Sequence, residues 1–162
     1  MRRHRLKDRA LKALMADVAT RLKVDLGALP TQLDVLTVDS KTHLYLGRAG
    51  PLFLRVQDDV YPTLLNSPVL ARLPTVTVDS GAVPYICNGA NLMAPGVVGV
   101  DGEFATGDLV AIREEKYGKI LALGTARYSS TETRDRQSGV VAETVHYIGD
   151  KHWDSYKSLK AY

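Results

Sequence analysis

The sequence predicts an α+β fold in two parts: a small N-terminal α/β domain, made of a helix and an antiparallel sheet, and a C-terminal half whose short strands close into a barrel-like sheet. Three observations predict it. Apolar residues recur every fourth position through residues 4–24, three short β-rich runs separated by turn residues follow between 33 and 56, and from Thr75 the chain becomes a succession of short strands with little helix.

The helix rests on Leu6, Ala10, Leu14, Val18 and Leu22, with Leu11 and Met15 widening the stripe. Its other face is basic. Between residues 2 and 23 there are eight Lys or Arg (Arg2, Arg3, Arg5, Lys7, Arg9, Lys12, Arg21, Lys23) against Asp8 and Asp17. That face is either a solvated helix surface or a phosphate-facing patch, in which Arg2, Arg3, Arg5, Lys7, Arg9 and Lys12 would be accessory contacts. Gly27 and Pro30 end the helix, and the runs 33–38, 43–47 and 52–56 read as strands, with Gly50-Pro51 marking a turn. Residues 58–70, with Tyr61, Pro62 and Pro68, are expected to form a short helix or a covering segment.

A tight domain boundary is expected near residues 70–74, since no low-complexity linker intervenes, so the division is 1–73 and 74–162. In the second part 75–78 is a strand, Asp79-Ser80-Gly81 a turn able to cap a short helix over 82–88, and Gly89-Ala90 its end. The runs 109–112, 119–126 and 139–148 are strands, and the polar 131–137 is a surface helix or loop. Many short strands with one or two short helices point to a strongly curved, nearly closed sheet.

Composition narrows the class. With 45% hydrophobic and 24% charged residues in 162, the chain has enough apolar material for a real core. A single cysteine, Cys87, allows neither an intramolecular disulfide nor a thiolate zinc cluster, which points to the cytoplasm. Charges interrupt the N-terminal apolar pattern, and no apolar run approaches a membrane span, so a soluble protein is expected. The net charge of +3 is unevenly distributed: from Pro74 onward nine basic face eleven acidic residues, so any polyanion surface there depends on placement.

The segment VDSGAVPYICNGANLMAPGVV (78–98), followed by GDLVAI (107–112) and KILALGTA (119–126), resembles the PUA domain, named for pseudouridine synthases and archaeosine transglycosylases. Three blocks occur in order across most of the second half. The whole chain, with its ending VHYIGDKHWDSYK, resembles the compact proteins related to the malignant T-cell amplified sequence protein and to the N-terminal part of ligatin, whose archaeal relatives are similarly short. The resemblance implies a C-terminal PUA pseudo-β-barrel behind a small N-terminal domain, and RNA binding by the face around the first PUA helix. On this chain it places Gly89, Ala90, Asn91, Leu92, Met93, Pro95 and Gly96 at or beside the RNA-binding site, with Thr125, Ala126 and Arg127 along a neighbouring strand. It also implies a role at the small ribosomal subunit and a translation-factor partner.

The segment suits such a task. A glycine followed by small residues lets a phosphate or an unpaired base approach backbone amides, and sequence-specific RNA recognition favours unpaired ends and loops. The same residues have ordinary structural explanations: Gly89 and Gly96 as turn residues, Leu92 and Met93 as core, Asn91 as a turn former, Arg127 as a solvated charge.

Catalysis has little support. Cys87 sits in the apolar helix PYIC, where an inert thiol is expected; His4, His43, His146 and His152 lack metal-site spacing, and no phosphate-binding loop with its lysine occurs. No metal and no cofactor are therefore expected. The reading is a monomeric, non-catalytic, translation-associated RNA-binding protein, with tRNA acceptor ends or small-subunit ribosomal RNA as targets. The alternative is an accessory subunit presenting RNA to a separate modification enzyme.

Overall fold

The computed structural model describes residues 2–159. The chain divides into two compact units, one of residues 1–72 together with 154–162, the other of residues 73–153.

The first unit opens with strand β1 (Arg2–Arg5), helix α1 (Asp8–Leu22) and strands β2 (Asp34–Thr37), β3 (Thr42–Gly47), β4 (Gly50–Val56) and β5 (Asp59–Pro62), followed by helix α2 (Ser67–Leu70). The five strands form an antiparallel sheet in sequence order. Helix α1 buries Leu11, Leu14, Met15, Val18 and Leu22, so the predicted apolar stripe is present. It begins at Asp8, however, and not at residue 4; Leu6 lies before it and Ala10 is exposed. Residues 2–5 pair with β2 instead, Arg5 opposite Asp34, because the sheet offers their backbone a ladder that a fraying helix end would lack. Two ion pairs join the helix to the sheet, Arg21 to Asp59 at 2.9 Å and Arg55 to Asp17 at 2.8 Å.

The short helix or covering segment expected over 58–70 is present in part as helix α2, which follows a fifth strand that the sequence reading did not include. A turn at Gln57, whose φ is +56°, returns β5 onto β4. Pro62 ends an edge strand, the position in a sheet where a missing N–H costs least.

The second unit contains β6 (Thr75–Val78), α3 (Val83–Ile86), β7 (Leu92–Met93), a single helical turn over Ala94–Gly96, β8 (Val97–Asp101), β9 (Leu109–Glu114), β10 (Ile120–Ala126), α4 (Ser130–Asp135) and β11 (Val140–Tyr147). The sheet order is β7-β11-β10-β9-β6-β8, antiparallel except for the parallel pair β6 and β9. Its edge strands, β7 and β8, are consecutive in the chain. In a flat sheet five strand spacings would separate them by about 24 Å, whereas the residues from Met93 to Val97 span at most about 14 Å. The sheet therefore curls until its edges nearly meet, around a core that includes Val76, Val78, Ile86, Leu92, Val110 and Ile112.

Helix α3 (Val83–Ile86) is shorter than the predicted 82–88. Asp79 Oδ1 accepts the Ala82 N–H at 2.9 Å and closes the predicted turn, but Ala82 stands at the N-cap position and no side chain caps the helix. Strand β8 has no counterpart in the sequence reading; its alternation is blurred by Gly99.

The last element of the described residues is α5 (Lys151–Tyr156), a helix the sequence reading did not include. From Asp154 the chain belongs to the first unit, whereas the sequence reading carried the second domain through residue 162. The reason is local to that unit. Tyr156 is fully buried, and its hydroxyl accepts the Leu64 N–H at 2.9 Å.

Asp150 caps α5 by accepting the Trp153 N–H at 2.8 Å, and its other oxygen meets Nδ1 of the fully buried His146 at 2.7 Å and the Tyr147 N–H at 3.0 Å. Burial raises the Asp150 pKa, but the His146 hydrogen bond and the backbone donors outweigh it and hold the carboxyl below its ordinary value. A depressed folded-state pKa adds stability that is complete above the unfolded value of about 3.9 and is lost as pH falls through the folded value. Asp150→Ala should cost about 1–2 kcal/mol in a neutral-pH denaturant melt, from the lost cap alone. Asp150→Asn keeps a capping oxygen, and its melts should show a shallower acid limb than wild type.

Candidate nucleic-acid interface

The loop after α3 is built by backbone bonds that turn the helix end back on itself. The Gly89 N–H donates to Ile86 O and the Ala90 N–H to Tyr85 O, both at 3.0 Å, with Gly89 at φ +89°. Strand β11 then holds the loop from below. The Thr144 hydroxyl donates to Ala90 O at 2.9 Å, the Thr144 N–H to Asn91 Oδ1 at 3.1 Å, and the Ala94 N–H to Gly139 O at 2.8 Å. Ala90, Asn91, Met93 and Pro95 remain exposed, Met93 at 47%.

The glycines do structural work. A Cβ on Gly89 would stand 3.0 Å from the Tyr147 hydroxyl oxygen and 3.2 Å from its ring, so the residue fits both a positive φ and the aromatic beneath it. A Cβ on Gly96 would lie 3.1 Å from Ala82 Cβ, so that glycine lets the turn pack against the residue before α3.

Pairing through β11 assembles the two predicted stretches. Leu92 faces Ala142, which faces Ala126; in the next row Thr125 faces Glu143. Leu92 and Ala126 are buried and form the floor. Thr125 is half-buried, and the exposed Arg127 is ion-paired with Glu143. Glu143, Thr144 and Tyr147 were not singled out in the sequence, because only strand pairing brings β11 under the loop. Tyr85, 69% exposed on α3, was hidden inside an apolar motif that read as buried helix.

The accessory cations stand differently from expectation. Arg2, Arg3 and Arg5 are on β1, not on the basic helix. Arg3 and Arg5, two residues apart on one face of the strand, converge on Asp34, Arg3 Nη2 at 2.7 Å and Arg5 Nε at 2.6 Å. The Asp34 pKa is lowered, first by the Arg5 and then by the Arg3 hydrogen bond. Both arginines line a cavity of about 630 Å3 with Arg48, Leu29 and Leu52. Lys7, Arg9 and Lys12 are exposed.

Burial pushes the half-buried Cys87 thiol upward in pKa, against the opposing charge of Lys119. Among the described residues no group of three or more His, Cys, Asp or Glu is placed to hold a metal ion, and no helix is long and apolar enough to cross a membrane.

The PUA domain family matches residues 74–148. An uncharacterised protein of Methanocaldococcus jannaschii is 31% identical over 130 residues, covering 78% of this chain and 74% of that protein. The chain belongs to the family of PUA-domain proteins that includes the malignant T-cell-amplified sequence proteins. Translation machinery-associated protein 20 of Saccharomyces cerevisiae, a further relative, is 28% identical over 131 residues, 76% of this chain and 72% of its own. Among solved structures, a PUA-domain protein from Aeropyrum pernix superposes with a TM-score of 0.83 at 26% identity, over 95% of this chain and 91% of that one.

Replacing Gly89 tests the loop's construction. Gly89→Ala meets both the positive φ and Tyr147 and should lower stability by about 1–2 kcal/mol. Gly107→Ala, at φ +91° with nothing within 4 Å of its Cβ, meets only the φ term. Thermal melts should therefore place Gly89→Ala below Gly107→Ala by the Tyr147 contact.

Proposed function

We propose that the protein is a non-catalytic, translation-associated RNA-binding factor. The PUA domain would engage the tRNA acceptor end or small-subunit ribosomal RNA, and the unit formed largely by residues 1–72 would be the N-terminal domain in front of it. The observation that carries the reading is the match of residues 74–148 to the PUA domain, joined to a loop that presents Ala90, Asn91 and Met93 on a fixed floor. Likeness to a yeast protein named for the translation machinery supports the setting. A cytoplasmic, monomeric factor that works with a small ribosomal subunit and a second translation factor follows from the same reading.

The chemistry of the face agrees with recognition of an unpaired end. Asn91 presents an amide nitrogen while its carbonyl oxygen is occupied by Thr144, and Met93 supplies a polarizable apolar surface for a base. Arg127 is the cation at the rim, and a phosphate reaching it would displace Glu143. Crosslinking in cells of the source organism, followed by sequencing of the attached RNA, tests the reading: enrichment of acceptor ends or small-subunit ribosomal RNA is expected, and a background profile would end it.

Two titrations test the charge assignments. Arg127→Ala should weaken RNA binding and lower the slope of log K against log salt by roughly one, whereas Glu143→Gln, which frees Arg127 and removes a negative charge, should strengthen binding. Joint replacement of Lys7, Arg9 and Lys12 by Ala should lower the salt slope more than replacement of Arg3 and Arg5, whose charge Asp34 partly offsets.

A further inference from the structure

The turn between β9 and β10 is held more firmly than a surface hairpin requires. Glu114, the last residue of β9, is only 8% exposed, and its carboxylate accepts three backbone N–H groups of the turn: Lys116 and Tyr117 at 2.7 Å each and Lys119 at 3.0 Å. These donors, Lys119 foremost, hold its carboxyl below the ordinary range despite burial. A carboxylate withdrawn from water is tolerated when its oxygens are satisfied in this way, and the turn wrapped around it is thereby fixed. A second anchor ties the next residue to the end of β6: the Glu115 N–H donates to Val78 O at 3.0 Å, and its side chain accepts the Ser80 N–H at 3.2 Å. Gly118, at φ +72°, closes the turn.

This cradle presents Tyr117 at 81% exposure, above every other exposed large hydrophobic side chain among the described residues. The ring buries little and so adds little to the fold, while it forfeits solvent entropy that a polar turn residue would keep. Lys116 Nζ lies 5.2 Å from the ring centroid. Elsewhere in this unit Arg113, Arg127 and Arg134 are ion-paired with Asp101, Glu143 and Glu103, whereas Lys116 and Lys119 have no ion pair among the described residues. Strand pairing sets the turn near the end of α3 where the loop begins: Gly89 lies over Tyr147, and Tyr147 pairs with Ala122, three residues past Lys119. From there the loop follows β11 to Met93, so turn and loop form one strip that runs for about 25 Å along β10.

We infer that the β9–β10 turn binds an unpaired nucleotide adjoining the RNA held by residues 88–93, with its base stacked on the Tyr117 ring and its flanking phosphates met by Lys116 and Lys119. The inference rests on the RNA-binding reading of the loop. An aromatic platform between free cations is the arrangement by which single strands are held with little sequence preference, and a rigid turn loses little entropy on binding.

The test compares a tRNA acceptor-stem minihelix, blunt or extended by a run of unpaired uridines, bound to the full-length protein. The extension should raise wild-type affinity roughly ten-fold, the size expected for one stacked base. Tyr117→Ala should lose that gain and keep the blunt-RNA affinity, Tyr117→Phe should retain the gain, and joint Lys116→Ala and Lys119→Ala replacement should lower the salt slope by roughly one to two. A gain that persists in Tyr117→Ala, or a wild type indifferent to the extension, overturns the inference and leaves the RNA reading standing. A wild type that binds neither RNA removes both.

Discussion

The short link between β7 and β8 governs the second unit. Two edges of a six-stranded sheet cannot be joined through Ala94–Gly96 unless the sheet curls, and the curl brings β7, paired on β11, back beside β8. Everything above that seam follows. Leu92 is drawn into the core, Met93 is turned outward by the alternation of a strand, and Thr144 meets the loop from beneath. Gly96 eases the same place, where a Cβ would stand 3.1 Å from Ala82 Cβ.

The unit separates support from presentation. Residues that look like candidates for contact are often occupied in holding the loop: Gly89 over Tyr147, Asn91 through its carbonyl to Thr144, Leu92 and Ala126 in the floor. What remains for a ligand is a small set of exposed groups on fixed backbone, with charge supplied by few residues. This suits the slightly acidic second half of the chain, in which most arginines are tied to carboxylates and a few cations stand apart.

The first unit distributes its charge by the same logic. A basic count in the sequence suggested one patch, yet strand pairing brings Asp34 between Arg3 and Arg5 and divides the cations into that pair on β1, whose charge Asp34 partly offsets, and the exposed Lys7, Arg9 and Lys12 around the start of α1. Neither composition nor helical periodicity contains that pairing, since Asp34 lies about thirty residues away. Strands β5 and β8 escaped for a related reason. Pro62 and Gly99 weaken their local pattern, and both exist because a neighbouring strand supplies the partner.

What the sequence determined by itself was everything carried by local period and ordered motif: the apolar stripe of α1, most strands of both sheets, the turn that Asp79 closes, and the three PUA blocks with the loop that follows the short helix. These survive because each depends on residues within a turn or a strand of one another. Only the tertiary structure decided which of the predicted residues face outward, that Arg3 and Arg5 share Asp34, that Glu114 fixes the Tyr117 turn, and that the chain past Asp154 returns to the first unit through Tyr156. Each of these rests on partners distant in sequence or on side-chain placement within a turn, which the period of apolar residues does not encode.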